Sequence, residues 1–269
     1  MSNFWTRLIT GAVFVAIIIG CVWWNFWSMA GLFLVISILG LWEFYSLLEK
    51  ANYYPQKYFG IISGILFFLS PLLANNILFI IISIFVFFTS FFIELFRNKP
   101  NPFNNIGFTL LGIIYIIVPF LLLSITSFDF TSSDISYAPN KLLGFFLLIW
   151  ANDTFAYLVG RAIGKTKLFE RISPKKTWEG TGGGLICTQG IAYILSIYFT
   201  DLAPIHWQVI ALIVSVFGTL GDLVESMFKR SLGVKDSGNI LPGHGGILDR
   251  FDAVLLSSPF VVTYLMLIR

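Results

Sequence analysis

The sequence predicts an all-α integral membrane protein of about nine transmembrane helices, N-terminus cytoplasmic and C-terminus extracytoplasmic, and three observations predict it. First, 57% of the residues are hydrophobic and only 12% charged, about half the roughly 25% charged content of soluble globular domains. Second, the apolar residues run in blocks close to the ~20 residues that a helix needs to cross a bilayer. Third, lysine and arginine collect on alternate connections between those blocks, as the positive-inside rule requires.

Dividing the chain at its polar and Pro/Gly breaks gives spans over residues 8–24, 28–48, 58–73, 77–96, 106–126, 142–160, 181–200, 207–228 and 253–268, of which the third and ninth are the shortest. Arg7 precedes the first apolar run, as in a signal peptide, but no small-residue cleavage pattern follows, and Trp23, Trp24 and Trp27 form an interfacial belt. It reads as a retained span. The uniform apolarity of the blocks excludes a porin-like barrel, whose strands alternate apolar and polar residues. Arg7 and the connections after spans two, four, six and eight hold fifteen of the seventeen basic residues, and the opposite face has only Lys141 and Arg269. This places the basic loops 161–180 and 229–252 in the cytoplasm, and the molecule in the cell (inner) membrane as a multi-pass protein.

The net charge of +3 does not imply nucleic acid, because the charges follow the membrane topology. Cys21 and Cys187 lie in apolar runs without metal-ligand spacing and read as small buried hydrophobes. Residues 1–140 (spans one to five) read as transmembrane scaffold and 141–269 (spans six to nine) as the catalytic region. Within the scaffold, Glu43 and Glu94 read as helix-end charges near Lys50 and Arg97 that snorkel to the interface.

Span six carries Asn152 and Asp153 well inside an apolar helix, where a bare carboxylate costs at least ~2.5 to 3.5 kcal/mol. Asp153 therefore faces protein or a wet cavity. Asp153, Tyr157, Gly160 and Arg161 fall on one helical face, which fits either a polar clasp between helices or one side of a site. Span eight places Asp222, Glu225, Ser226 and Lys229 at i, i+3, i+4 and i+7, a polar stripe at its cytoplasmic end. Its carboxylates suit a hard cation such as Mg²⁺, which binds through one or two carboxylates plus substrate phosphates.

The following loop combines Lys229, Arg230, Lys235 and Arg250 with Gly243, Gly245 and Gly246, whose backbone amides can approach an anion closely. Asp236, Asp249 and Asp252 add further oxygens and His244 an imidazole. Binding of anionic headgroups explains the basic residues of such a loop but not its alternation of acids, bases and glycines. In the stretch 173–184, Ser173 as N-cap and Pro174 at N1 predict a helix start, Gly180 and Gly184 predict close helix packing, and Lys175 and Lys176 are assigned to nucleotide or lipid phosphate. Gly160-Arg-Ala-Ile-Gly164-Lys165-Thr166 is one residue short of a P-loop and follows a membrane helix instead of a strand, so it does not read as one.

The run Ser226-Met-Phe-Lys229-Arg230, four residues, Lys235-Asp236-Ser-Gly238, two residues, Leu241-Pro242-Gly-His244-Gly245-Gly246-Ile-Leu-Asp249-Arg250-Phe-Asp252 resembles the phosphatidate cytidylyltransferase (CDP-diacylglycerol synthase) family at every defined position. Asn152-Asp153-Thr154 with Tyr157 and Gly160-Arg161, and the stretch from Ser173 to Gly180, are also similar to that family, so the resemblance covers residues 142–252. It implies transfer of a cytidylyl group from CTP to phosphatidic acid, with CDP-diacylglycerol and pyrophosphate as products. It further implies Mg²⁺ on Asp222 and Asp249, a second monovalent cation as an open question, and Lys229, Arg230 and Arg250 as neutralisers of phosphate charge. Asp153, Lys175, Lys176, Ser226, Lys235, Asp236, His244, Gly245, Gly246 and Asp252 are then expected to contact substrate. The implied partners are CTP, phosphatidic acid, membrane lipid and a second copy of the chain. Two alternatives remain at this point: a CTP-dependent polyprenol or phytol kinase, and a secondary transporter with Asp153, Asp222 and Glu225 as a coupling-ion site.

Overall fold

The computed structural model describes residues 3–73, 76–129, 136–238, 240 and 245–268. Helix α1 (Asn3–Trp24) turns into α2 (Phe26–Lys50) at Asn25, whose side chain accepts from the Ser28 amide at 2.9 Å while its own amide donates to Ser28 Oγ. This reciprocal cap satisfies two donors that a helix start leaves orphaned. Helices α3 (Lys57–Leu73) and α4 (Asn76–Phe96) follow. The fifth predicted span is one helical rod in three parts: α5 (Pro102–Gly112), a π-helical turn (Ile113–Ile117) and α6 (Val118–Thr126).

Pro119 is the physical cause of that turn. It has no amide to offer the Tyr115 carbonyl, and in a regular α-helix its ring would strike that carbonyl. Widening the backbone, with the Val118 amide donating to Ile113 O, relieves the clash.

A two-stranded antiparallel pair, β1 (Phe128–Asp129) and β2 (Ser136–Tyr137), leads to α7 (Asn140–Ile163). The loop 161–180 holds a second antiparallel pair, β3 (Lys167–Phe169) and β4 (Ser173–Thr177). The helix start expected at Ser173 is therefore corrected: Ser173 and Pro174 lie in β4, and α8 (Trp178–Tyr198) begins behind Thr177, whose hydroxyl accepts from the Gly180 amide. The edge strand tolerates Pro174 because an outward-facing position needs no amide. Helices α9 (Pro204–Ser231) and α10 (Leu248–Leu267) complete the fold.

The predicted apolar segments thus fall on helix except at two ends, where α8 stops at Tyr198 and α10 at Leu267. Among the described residues, five rods are long and apolar enough to cross a membrane: α2, residues 102–126, α7, α9 and α10; the apolar stretches Leu8–Trp24, Lys57–Leu72 and Ile81–Phe96 are shorter. A single buried core runs through scaffold and C-terminal region alike. Phe251 of α10 meets Phe14 and Phe120 edge-on at 5.5 and 5.2 Å, and Phe44 stacks on Phe228 at 4.8 Å. Cys21 and Cys187 are half-buried and free.

Glycines set how near the helices carrying charge approach each other. A Cβ on Gly184 would lie 2.9 Å from Ala156 Cβ and 3.1 Å from Asn152 O, which fixes α8 against α7. A Cβ on Gly221 would stand 2.4 Å from Asp252 O, so α9 and α10 nearly touch at the level of Asp222 and Asp252.

The reading of Glu94 as a snorkelling charge is also corrected. It is 3% exposed and accepts from Gln56 Nε2, Asn105 Nδ2 and Arg97 Nη1, each at 2.8 Å. Three donors make the buried carboxylate tenable, and the node ties α4 and α5 to the segment before α3.

Candidate functional site

At one end of the C-terminal helices, Asp153 of α7, Asp222, Ser226, Lys229 and Arg230 of α9, and Asp249, Arg250 and Asp252 of α10 converge with Lys175 and Lys176 of β4. Asp153 keeps access to solvent although protein surrounds it, as a side chain on the floor of a cleft does. The charges bearing on it are Lys176, Asp222 and Arg250. Asp252, on the facing turn of α10, has Asp222, Asp153 and Glu225 as its electrostatic neighbours, and its Oδ1 accepts from the Ala253 amide at 2.7 Å. The Lys176 ammonium lies 2.7 Å from Asp222 Oδ2, and Ser226 Oγ donates to Asp222 Oδ1 at 3.3 Å. The cleft therefore joins Asp153, Lys176, Asp222, Ser226, Arg250 and Asp252, residues up to 99 positions apart in the numbering.

A second cluster lies behind it. Lys229 is 8% exposed and sits between Glu225 Oε2 at 2.5 Å and Asp249 Oδ1 at 2.6 Å. The other Asp249 oxygen accepts from the Ser237 amide and hydroxyl, both at 3.0 Å, and from the Gly246 amide at 2.8 Å. Lys229 is thus held by two carboxylates and is not turned to an outside phosphate. Gly246 directs its amide to Asp249, and Gly245 adopts a φ of +82°, a conformation that only glycine enters readily.

The remaining candidates divide clearly. Lys175, Arg230, Lys235, Asp236 and Arg250 are exposed, and Arg230 Nη1 donates to Val234 O at 2.8 Å. His244 lies outside the described residues, as does Gly243. The near-P-loop is occupied from within: the Lys165 and Thr166 amides donate to the Glu179 carboxylate at 3.0–3.1 Å, and Gly164 packs on Thr177. Bonds from its own and the Lys165 amide hold the Glu179 carboxyl down to about 2 from an ordinary 4.5, just before the apolar part of α8 begins.

The residues present fit a hard cation by the chemistry of their donors. Asp153, Asp222 and Asp252 bring three carboxylates to the cleft against Lys176 and Arg250, with Glu225 close behind. Among the described residues, no group of three or more Asp, Glu, His or Cys side chains is arranged to hold a metal by itself.

Two residues escaped the sequence reading. Glu43 is 4% exposed, not snorkelling toward Lys50: its Oε2 accepts from the Leu248 amide at 3.0 Å and lies 3.2 Å from Ser237 Oγ. A scaffold carboxylate thus caps the start of α10. Tyr115, on the π-helical turn, has a buried hydroxyl without a hydrogen-bond partner among the described residues, in the field of Asp252 and Glu225. Pro119, four residues further on, was the sequence signal for that turn; nothing local marked Glu43.

The model of the cytidylyltransferase family matches residues 5–268. The phosphatidate cytidylyltransferases of Staphylococcus saprophyticus and Staphylococcus haemolyticus are each 46% identical over 161 residues, and that of Staphylococcus aureus 45%. These matches take in 59% of this chain and 58% of each relative's length. With the family model spanning the scaffold as well as the cleft, the chain belongs to the cytidylyltransferase family.

Proposed function

We propose that this protein is a phosphatidate cytidylyltransferase of the cell (inner) membrane, converting CTP and phosphatidic acid to CDP-diacylglycerol and pyrophosphate. The observation that carries the reading is the cleft between α7, α9 and α10, where three carboxylates meet Lys176 and Arg250 inside a chain that matches the cytidylyltransferase family from residue 5 to residue 268. In this reading all nine apolar segments span the bilayer, the N-terminus and the cleft face the cytoplasm, and the protein pairs as a homodimer. The alternate placement of the basic residues supports that topology.

An ionised phosphate oxygen of the lipid attacks the α-phosphorus of CTP; that O–P bond forms as the bond from the α-phosphorus to the bridging oxygen breaks, and pyrophosphate carries away the electron pair. The nucleophile is already an anion, so the protein's work is alignment and charge neutralisation. Asp222 and Asp249, with Asp153 and Asp252 as further carboxylates of the site, would hold Mg²⁺, which when bound would supply neutralisation of phosphate charge and electron withdrawal from the α-phosphorus. Arg250, Lys175 and Lys235, all exposed, take the phosphate charge. Lys176 exchanges its Asp222 partner for phosphate oxygen. Lys229 and Arg230, given by sequence the same task, serve here to hold the loop: Lys229 through Glu225 and Asp249, Arg230 through the Val234 carbonyl.

The test is pyrophosphate release from CTP by the purified protein in detergent, with phosphatidic acid and Mg²⁺, for wild type and Asp222→Asn. Lipid-dependent release that collapses in the variant supports the reading. Production of CDP and a phosphorylated alcohol would replace it with a kinase, and no CTP-dependent product from folded protein would favour a transporter.

A further inference from the structure

We infer that Glu43 of α2 is a positioning residue for Asp249 and the 229–252 loop, acting through Ser237; this rests on the proposed reading of that loop as part of the active site. Glu43 is 4% exposed in an otherwise apolar helix. A carboxylate so placed is tenable only with donors, and those it has come from the far half of the chain: the Leu248 amide and the Ser237 hydroxyl, 205 and 194 residues away. Among the described residues its Oε1 has no partner.

Ser237 links two carboxylates. Its hydroxyl lies 3.2 Å from Glu43 Oε2 and 3.0 Å from Asp249 Oδ2, and one proton cannot serve both. The carboxylate that lacks it is left less well compensated, so Glu43 sets how much hydrogen bonding Asp249 receives from within. The loop's glycines are built around the same group. A Cβ on Gly238 would stand 2.5 Å from Glu43 Oε1, one on Gly246 2.5 Å from Glu43 Oε2, and one on Gly245 2.6 Å from Asp249 Oδ2. Gly245 and Gly246, which read in sequence as glycines for close approach to an anion, thus also form, with Gly238, the seat of two carboxylates, one from each half of the chain.

A simple cap on α10 would need only an acceptor for the Leu248 amide, which a glutamine also provides. Glu43→Gln therefore keeps size and cap while removing the charge that competes for the Ser237 proton; Ser237→Ala keeps Glu43 and its cap while breaking the link. Turnover of CTP and phosphatidic acid and tryptic cleavage after the exposed Lys235 are measured for wild type, both variants and the double variant, with thermal unfolding in detergent alongside. We expect kcat to fall roughly 10- to 100-fold, as for groups that orient a metal-site ligand, with KM for CTP within about twofold, cleavage severalfold faster and unfolding unchanged. The double variant is expected to be no worse than the poorer single one, because both act on Asp249 by one route. Wild-type kcat and cleavage in Ser237→Ala overturn the inference, as do losses that multiply in the double variant or track lowered thermal stability. Should Glu43→Gln not fold, Ser237→Ala decides alone. If wild type shows no turnover, the proposed reaction fails, while the cleavage comparison still decides whether Glu43 and Ser237 hold the loop.

Discussion

The Lys229 ammonium donates to Asp249 at 2.6 Å across the boundary between α9 and α10, while also lying against Glu225 of its own helix. One buried cation thus compensates two carboxylates, so its removal costs more than its own contact. Lys229→Met is expected to destabilise the fold by about 3–5 kcal/mol, the range for leaving buried charge unpaired. Chemical unfolding in detergent measures this; a change below about 1 kcal/mol would show that the two carboxylates tolerate each other without the lysine.

The Lys176–Asp222 pair behaves differently because its side chains are 25% and 36% exposed. Such a pair contributes about 0–1 kcal/mol to stability. Lys176→Met is expected to leave the melting temperature nearly unchanged and to raise KM for CTP severalfold, read by steady-state pyrophosphate release. Unchanged KM would remove Lys176 from the nucleotide site.

Gly184 and Gly190 make a matched comparison on α8. A Cβ at Gly184 meets Ala156 at 2.9 Å, whereas one at Gly190 meets nothing within 4 Å. Gly184→Leu is expected to cost roughly 1–3 kcal/mol by overpacking and to depress activity, since α8 and β4 carry Lys176 to the cleft. Gly190→Leu is expected to be neutral within about 0.5 kcal/mol. Equal effects of the two would refute close α7–α8 packing as the reason for Gly184.

Tyr115→Phe removes only the orphaned hydroxyl on the π-helical turn. Because that hydroxyl has no partner to lose among the described residues, stability is expected to hold or rise slightly, and turnover to fall about tenfold if it hydrogen-bonds Asp252, Glu225 or substrate during the reaction. Wild-type kcat in the variant would assign the turn to Pro119 alone.

Glu179 gives a pH signature at the near-P-loop. Its carboxyl is held down to about 2 from 4.5, so the bonds to the Lys165 and Thr166 amides contribute fully above about pH 4.5 and are lost as pH falls through about 2. Amide protection at Thr166 is expected to persist at pH 4 and to weaken toward pH 2, followed by hydrogen exchange. Glu179→Gln should show no such step.

Helix placement was legible because apolar blocks and alternating basic loops are local and repetitive. The polar stripe Asp222, Glu225, Ser226 and Lys229 was legible because helical spacing places it on one face. Which member faced the cleft was not: Asp222 turns to Lys176, whereas Glu225 and Lys229 turn inward to Asp249. The strand at Ser173–Thr177 replaced a predicted helix because pairing with Lys167–Phe169 outweighed a favourable local cap.

By itself, the sequence determined a polytopic helical protein with its polar residues gathered at one end of the C-terminal helices, because bilayer solvation and helical periodicity act on neighbouring residues. Tertiary structure alone decided the pairing of those charges and the entry of Glu43 and Tyr115 into their surroundings. Burial makes a carboxylate depend on whichever donors packing brings to it, and for Glu43 those donors lie about two hundred residues away in the chain.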